Sequence, residues 1–544
     1  MTDAILTPPF PVNEPVMGYL PGSPEKKELK AKLKELAAKK IEIPLVIGGQ
    51  EVKTGDMGEC RVPHKHKHLL GTYHKAGAAE VKLAVAAARK ARKGWAAMPF
   101  EARAAIFLKA GELLAGPWRQ TMNAATMLGQ SKTCHQAEID AACEMIDFFR
   151  FNVSFGYDIL AEQPESGPGV WNMLEQRPLD GFVFAITPFN FTSIAGNLPA
   201  APAMMGNTVL WKPASSAVYS AYFIMELLRE AGLPDGVINL IPGSGGQVGN
   251  PVLRNKELAG VHFTGSTEVF QGMWNTIGRN IRRYGGYPRI VGETGGKDFV
   301  FVHESADVDA VVTGLLRGAF EYQGQKCSAA SRAYIPASLW PTIKKKLVAD
   351  VKTIKMGDPG DFTNFMGAVI DEAAFDTIKG YIDRARKAKG EAKILVGGKC
   401  DKKVGYFIEP TVIQAMTPKY ETVREEIFGP VLTIYVYEDK DVMKTLRLCD
   451  QGSDYALTGA VFSQDRMFIE TAKEELRGTA GNFYINDKPS GAVVGQQPFG
   501  GSRASGTNDK AGSYLNLLRW TTPRTIKETF DPPKGYRYGF QDQK

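Results

Sequence analysis

The sequence predicts an α/β protein made of two doubly wound units. Three observations carry this expectation. From Gly181 onward, short apolar runs of strand length alternate with helical segments, and the same alternation begins again after Glu293. The chain has 544 residues, 44% hydrophobic and 23% charged, which is enough apolar material for several cores.

Before the first unit, residues 1–75 read as an N-terminal arm and helix. In EKKELKAKLKELAAKK (Glu25 to Lys40), Leu29, Leu33 and Leu36 recur at helical spacing behind Ser23-Pro24, an N-cap followed by a first-turn proline. This is an amphipathic surface helix with a solvated lysine face, not a nucleic-acid or membrane surface. HKHKH (His64 to His68) holds no thiolate or carboxylate, and lysines separate its rings, so a solvated loop or edge is expected and no metal site.

Ala76 to Phe155 is alanine-rich and helical. Strand-like runs follow: GFVFAIT, NTVLWKP, VINLIPG, GVHFTG and RIVGET, with the helix VYSAYFIMELLREAG among them, ended by Gly232-Leu-Pro. The first unit is therefore set at 76–162 and 179–292. FVFVHE, RAYIP, KILVGG, LTIYVYE, ALTGAVFS and GNFYIND make a second unit at 293–490. QPESGPGVWNMLEQRP (Gln163 to Pro178) interrupts the first unit without a helix signal and reads as a protruding hairpin. The chain after Ser513 is polar and aromatic and is expected to pack on a neighbour.

A net charge of +7 is a mild excess at this length and points to no nucleic-acid partner. No apolar run reaches membrane-spanning length. Six cysteines with no C-x-x-C pair suit a reducing compartment. The N-terminus has no signal-peptide pattern and no arginine in its first sixty residues. The expected location is the cytoplasm of a bacterium, or the mitochondrial matrix for a processed eukaryotic chain.

Three residue types near unit edges bear on chemistry. Cys327 in GQKCSAASR follows a long helix and stands beside Lys326; a nucleophilic thiol needs a route to thiolate, a base and oxyanion donors. Glu293 in GETGGK stands at a strand end before two glycines, and Asn190 in TPFNFT stands just past another strand. Each also has a plain structural reading: a small buried thiol, a strand-end carboxylate, a turn residue. GSGGQVG (Gly243 to Gly249) and FTGS (Phe263 to Ser266) follow strands and can open helices, as dinucleotide loops do; tight turns explain them equally well.

Together these segments resemble the aldehyde dehydrogenase superfamily over nearly the whole chain. The resemblance implies a Rossmann-type NAD-binding domain, an α/β catalytic domain and a small β oligomerisation flap. It assigns Cys327 as nucleophile, Glu293 as general base and Asn190 as oxyanion donor. It implies cofactor contacts from Thr187 and Pro188 of TPFNFT, Lys212 of WKP, Gly265 and Ser266 of FTGS, and Glu426 and Phe428 of EEIFGP. Ser215 replaces an acidic residue common in NAD-selective relatives, so NAD is expected with NADP left open. Phe270 stands where many relatives have glycine.

A finer resemblance is to the L-glutamate-γ-semialdehyde (1-pyrroline-5-carboxylate) dehydrogenase branch, carried by GETGGK, GQKCSAASR and SGAVVGQQPFGGSRASGTNDKAG (Ser490 to Gly512). It implies a substrate-anchor loop at 491–512, with backbone amides of Gly491 and Ala492 and the Ser328 hydroxyl on the substrate α-carboxylate. Phe191 and Phe499 would line its aliphatic chain, and Glu144 and Lys326 would stand nearby. Arg503 is a rival anchor. The implied reaction oxidises L-glutamate γ-semialdehyde to L-glutamate in proline breakdown, without a metal. Another carboxylated semialdehyde, or a catalytically silent relative, are the alternatives. The resemblance also implies a homodimer or higher homo-oligomer, held by 163–178 and 513–544, and transient contact with a proline dehydrogenase.

Overall fold

A computed structural model describes residues 6–541, so the outermost residues of the 1–75 and 513–544 segments lie outside it. Two seven-stranded sheets organise the chain. The first runs in the order Arg289–Glu293, Leu258–Thr264, Phe182–Thr187, Thr208–Pro213, Ile238–Leu240, Leu45–Ile47, Gln50–Val52. Its first five strands are parallel. Every residue of Phe182–Thr187 and Thr208–Pro213 is buried, because helices cover both faces, and so these strands read as continuous apolar runs.

The last two strands correct the expectation for residues 1–75, which are more than an arm and helix. Leu45–Ile47 and Gln50–Val52 pair antiparallel across Gly48-Gly49, both with positive φ (59° and 79°), a two-residue turn that glycine adopts without strain. The helix itself forms as expected over Pro24–Ala38, with Leu29, Leu33 and Leu36 buried and the Ser23 side chain accepting from Lys26 N–H.

The second sheet runs Ala392–Val396, Thr411–Ala415, Val431–Tyr437, Arg332–Pro336, Phe299–Val302, Thr458–Phe462, Asn482–Ile485. It is parallel except for Ala392–Val396. A small third sheet pairs Lys65–His74 between Ile41–Ile43 and Met57–Val62. HKHKH leads into the middle strand at a part that pairs on one side only, with Lys65 and Lys67 exposed as expected, and only His64 departs from the solvated reading. His64 is buried, with Nδ1 3.1 Å from Ser131 Oγ, and burial lowers it to about 4. Among the described residues no three His, Cys, Asp or Glu side chains stand together as metal ligands, and no helix is long and apolar enough to cross a membrane.

The segment Gln163–Pro178 is not a self-contained hairpin. Its strand Val170–Pro178 pairs antiparallel with Thr521–Thr529, so the two strands of this ribbon come from segments far apart in the sequence.

The helix Thr192–Met204, which starts two residues past Asn190, contains Pro199 and Pro202. A proline inside a helix removes a hydrogen bond and leaves the carbonyl four residues earlier without its donor. For Pro202 that carbonyl belongs to Leu198, and the Nδ1–H of buried His262 donates to it at 2.9 Å. Burial holds the His262 ring neutral, at about 3. His262→Phe should keep the volume and orphan the carbonyl, lowering stability by about 1–3 kcal/mol. A thermal-melting comparison checks this; an unchanged midpoint would refute it.

Candidate active site

In the first sheet, strand order reverses beside Phe182–Thr187, whose neighbours Thr208–Pro213 and Leu258–Thr264 follow it on opposite sides. Ligands of such sheets bind at the carboxyl ends beside this reversal. Pro188, Phe189 and Asn190 leave one such end, and Gly265 and Ser266 leave another. The buried Asn190 side chain donates from Nδ2 to the Gln325 carbonyl at 3.1 Å, two residues before Cys327.

The Cys327 loop is held in an unusual shape. Tyr322, Gln323 and Gly324 have φ of 50°, 56° and 66°, three left-handed residues in succession. For the two non-glycine residues this costs on the order of 1–3 kcal/mol each and persists only where the surroundings enforce it. Gln323 supplies part of that enforcement: Nε2 donates to the carbonyls of Ser131 (3.1 Å) and Ala368 (2.7 Å), and Oε1 accepts from Gly367 N–H (3.0 Å). A Cβ on Gly324 would come within 2.2 Å of the Gly429 carbonyl oxygen, so the loop lies backbone to backbone on EEIFGP. A Cβ on Gly296 would come equally close to the Cys327 carbonyl oxygen, bringing GETGGK against the same loop.

Cys327 is buried, 9% exposed. Burial pushes its thiol well above the ordinary value, and the carboxylates of Glu293, Asp298 and Glu426 add to this. Glu293 ends the strand Arg289–Glu293, and its carbonyl accepts from Gly265 N–H at 3.2 Å. Its Oε1 is buried without a partner. Burial raises Glu293 to about 8; Lys510 opposes the shift, while Asp509 and Glu144 add to it. Glu144 is likewise raised to about 8, by burial and by Asp140.

A cavity of about 400 Å³ collects every sequence-predicted substrate residue: Cys327 lines it with Ser328, Phe191, Phe499, Gly491, Ala492, Glu144 and Lys326. Glu293 faces a smaller adjoining cavity of about 40 Å³, and Glu144 and Phe499 border both. Lys326 pairs with Glu321 at 3.3 Å. Gly491 has φ 95°, and a Cβ there would come within 2.8 Å of Lys488 Nζ. Arg503, the rival anchor, is engaged elsewhere: its guanidinium donates to Asp450 Oδ1 (2.6 Å) and to the Asp450 carbonyl (3.1 Å), and it does not border the cavity.

The cofactor candidates lie along the carboxyl edge of the first sheet and under EEIFGP. Among the described residues the buried Lys212 ammonium donates only to the Pro213 carbonyl, at 3.4 Å. Thr187 Oγ1 accepts from Trp211 Nε1 at 3.0 Å. Ser266 caps the helix Thr267–Arg279, and Ser244 caps Gly245–Leu253. Glu426 accepts from Gly296 N–H at 2.8 Å. Phe428 (φ 56°) meets Phe189 edge to face at 5.8 Å. Ser215 is exposed at a short 3-10 turn. Phe270 stacks on Phe263 at 5.3 Å and fills the space left by Gly292.

Sequence reasoning placed no residue of the N-terminal arm at the site. Asn13, Glu14 and Val16 border the large cavity. Asn13 Nδ2 donates to Asp147 Oδ2 and to the Val494 carbonyl, both at 2.8 Å, tying the anchor loop to the helix Met145–Ala161. No local spacing links residues 13, 147 and 494. His135 and Lys488 also border the cavity and were not singled out.

Residues 52–526 match the model of the aldehyde dehydrogenase family. The chain belongs to that family. It is 55% identical to the mitochondrial delta-1-pyrroline-5-carboxylate dehydrogenase of Dictyostelium discoideum, over 98% of this chain and 96% of that one. It is 49% identical to the Homo sapiens mitochondrial enzyme of the same name, over 97% and 94%. The delta-pyrroline-5-carboxylate dehydrogenase of Mycobacterium tuberculosis, solved with NAD bound, superposes with a TM-score of 0.96 at 53% identity, each chain covered completely.

Burial raises the Cys327 thiol and the Glu293 carboxylate adds to this, so Glu293→Gln should speed alkylation of Cys327 by iodoacetamide at pH 9, where the thiolate is the reacting form. Slower alkylation would contradict the repulsive account and show Glu293 acting as a base toward the thiol.

Proposed function

We propose that the chain is an NAD-dependent L-glutamate-γ-semialdehyde dehydrogenase, which turns the open-chain form of 1-pyrroline-5-carboxylate into L-glutamate in proline breakdown. The observation that carries this is the single cavity in which Cys327 shares walls with Ser328, Gly491 and Ala492. It offers a thiol at one place and, at another, a hydroxyl and a glycine-opened backbone suited to a carboxylate. The relatives named above support the same substrate.

The Cys327 thiol loses its proton to solvent, and the thiolate attacks the aldehyde carbon to form a thiohemiacetal. Asn190 Nδ2–H and a backbone N–H, that of Cys327, hold the developing oxyanion; losing one such donor typically costs about a hundredfold or more in rate. Asn190 already points its amide at this loop, through the Gln325 carbonyl. When bound, NAD supplies the hydride acceptor that leaves a thioester on Cys327. The residues present fit that cofactor: Lys212 has an ammonium to spare for ribose hydroxyls, Glu426 offers a carboxylate to the other ribose, and Gly265-Ser266 open a helix toward the pyrophosphate. Thr187, Pro188 and Phe428 wall the same groove. Ser215 places no negative charge against a 2′-phosphate, so NADP is not repelled here as it would be by a carboxylate.

Glu293, raised to about 8, takes a proton from water, which attacks the thioester; the Cys327 thiol leaves and glutamate is released. Phe191 and Phe499 enclose the aliphatic chain, and Glu144 and Lys326 complete the polar wall. The domain roles follow: the first sheet holds the cofactor, the second carries the nucleophile, and 491–512 anchors the substrate.

The Val170–Pro178 and Thr521–Thr529 ribbon serves self-association into a dimer or higher oligomer, and its antiparallel exposed strands supply the surface. A proline dehydrogenase makes the precursor and is the natural transient partner. The chain works in bacterial cytoplasm or, for a eukaryotic source, in the mitochondrial matrix, as the word mitochondrial in the names of relatives suggests.

The test is NADH production by the purified protein with glutamate semialdehyde, succinate semialdehyde and an unsubstituted aliphatic aldehyde. Glutamate semialdehyde should give the highest kcat/KM, and Gly491→Val should erase that preference. A preference for another aldehyde would discard the substrate; no turnover with any would discard the enzyme.

A further inference from the structure

Between Gln130 and Glu144 lies a charged pair that no step above uses. Lys132 is 0% exposed, and its ammonium lies 2.6 Å from Asp140 Oδ2, which is buried too. The same ammonium faces two aromatic rings, 4.3 Å from the Phe191 centroid and 4.5 Å from that of Tyr322. The rings belong to different motifs. Phe191 follows Asn190; Tyr322 opens the left-handed run that leads to Cys327. Asp140 extends the connection, accepting from the backbone N–H of Thr192 (3.0 Å) and Ser193 (2.9 Å) and from the Ser193 hydroxyl (2.8 Å), at the start of the helix that follows Asn190. Asp140 and Glu144 both come from the π-helical turn Glu138–Glu144, a distortion that commonly marks functional sites.

A buried ion pair gives weak reason to expect added stability, since desolvation offsets much of the attraction. An apolar side chain would fill the same space. What an apolar side chain lacks is the ability to bind a carboxylate and two ring faces at once. Among the described residues the buried Tyr322 hydroxyl has no hydrogen-bond partner, and its ring face meets the Lys132 ammonium. Burial pulls the Lys132 ammonium below its ordinary value, and Asp140 opposes the shift.

We propose that Lys132 is a positioning residue, whose ammonium fixes the Asn190–Phe191 loop and the Tyr322–Cys327 loop relative to one another so that thiol and oxyanion donor meet the same carbonyl. This rests on the reading of Cys327 and Asn190 given above. The groups its ammonium holds, Asp140 and the rings of Phe191 and Tyr322, include none of the cofactor candidates, so its loss acts on the chemical step and spares NAD binding.

The experiment uses the full chain as wild type, Lys132→Met, Lys132→Arg and Cys327→Ala. Two substrates are compared: glutamate semialdehyde with NAD, and p-nitrophenyl acetate alone. On the ester, the Cys327 thiolate displaces p-nitrophenolate, and water then releases acetate from the acetyl thioester and returns the thiol. Neither NAD nor the semialdehyde is needed. Melting temperature and NAD binding by fluorescence quenching are read for each variant.

Lys132→Met should lower kcat on both substrates about tenfold or more, since misplacement by an ångström can cost a hundredfold, with KM shifting less than about threefold and NAD affinity unchanged. Lys132→Arg should recover most of the loss, because a guanidinium pairs with a carboxylate and stacks on rings. Unchanged kcat in Lys132→Met, or no recovery in Lys132→Arg while both bind NAD, would overturn the proposal. Should Lys132→Met fail to fold, Tyr322→Leu keeps the ion pair and removes one ring; its kcat should fall about threefold or more, and an unchanged kcat would overturn the proposal. A wild type active on the ester but inert on glutamate semialdehyde would defeat the substrate reading and leave the Lys132 comparison standing. Ester hydrolysis that survives Cys327→Ala would defeat the nucleophile on which the proposal rests.

Discussion

The site depends on main chain lying directly on main chain. The Cys327 loop touches the EEIFGP loop at Gly324 and Gly429, and GETGGK touches it at Gly296; at Gly324 and Gly296 a single added methyl group would meet a carbonyl oxygen at 2.2 Å. Segments around 293, 325 and 427 thereby share one cleft. The candidate nucleophile, the candidate base and the Glu426 carboxylate come from three places in the chain and meet because their loops lie backbone against backbone. The left-handed run Tyr322–Gly324 is the conformational cost of that arrangement, and the Gln323 amide, bonded on both its atoms, helps to hold it.

The same closeness sets the electrostatics. Glu293, Asp298 and Glu426 crowd around the buried Cys327, and burial raises all three carboxyls, to about 8, 8 and 7. A thiol in that company resists ionisation. A carboxyl raised to about 8 is, in turn, a far better proton acceptor than a free one, which suits a group that must activate water near neutral pH. Resistance in the thiol and basicity in Glu293 have one leading cause, burial, to which neighbouring carboxylates add.

The sequence made the parts that rest on local signals legible. The fully buried strands Phe182–Thr187 and Thr208–Pro213 are continuous apolar runs, and the helix Pro24–Ala38 shows its leucine stripe and its cap. The candidate site residues were found because each sits in a short, distinctive segment. What stayed hidden depends on distant partners. Asn13 reaches Val494, Val170–Pro178 pairs with Thr521–Thr529, and Arg503 is held by Asp450; no periodicity or spacing encodes these contacts. The strand pair around Gly48-Gly49 did carry a turn signal, but three-residue strands are too short for alternation to show. His64 looked solvated beside its lysines and is buried, because Ser131 and Asp358 approach it from other elements.

The central claim is that Cys327 forms a covalent acyl intermediate which Glu293 is needed to hydrolyse. It is tested most directly by mixing Glu293→Ala with NAD and glutamate semialdehyde, quenching in acid, and mapping the modified peptide by mass spectrometry. The account predicts a glutamyl thioester on Cys327 that accumulates in the variant and turns over in the wild type. No adduct in the variant, or an adduct on another residue, would contradict it.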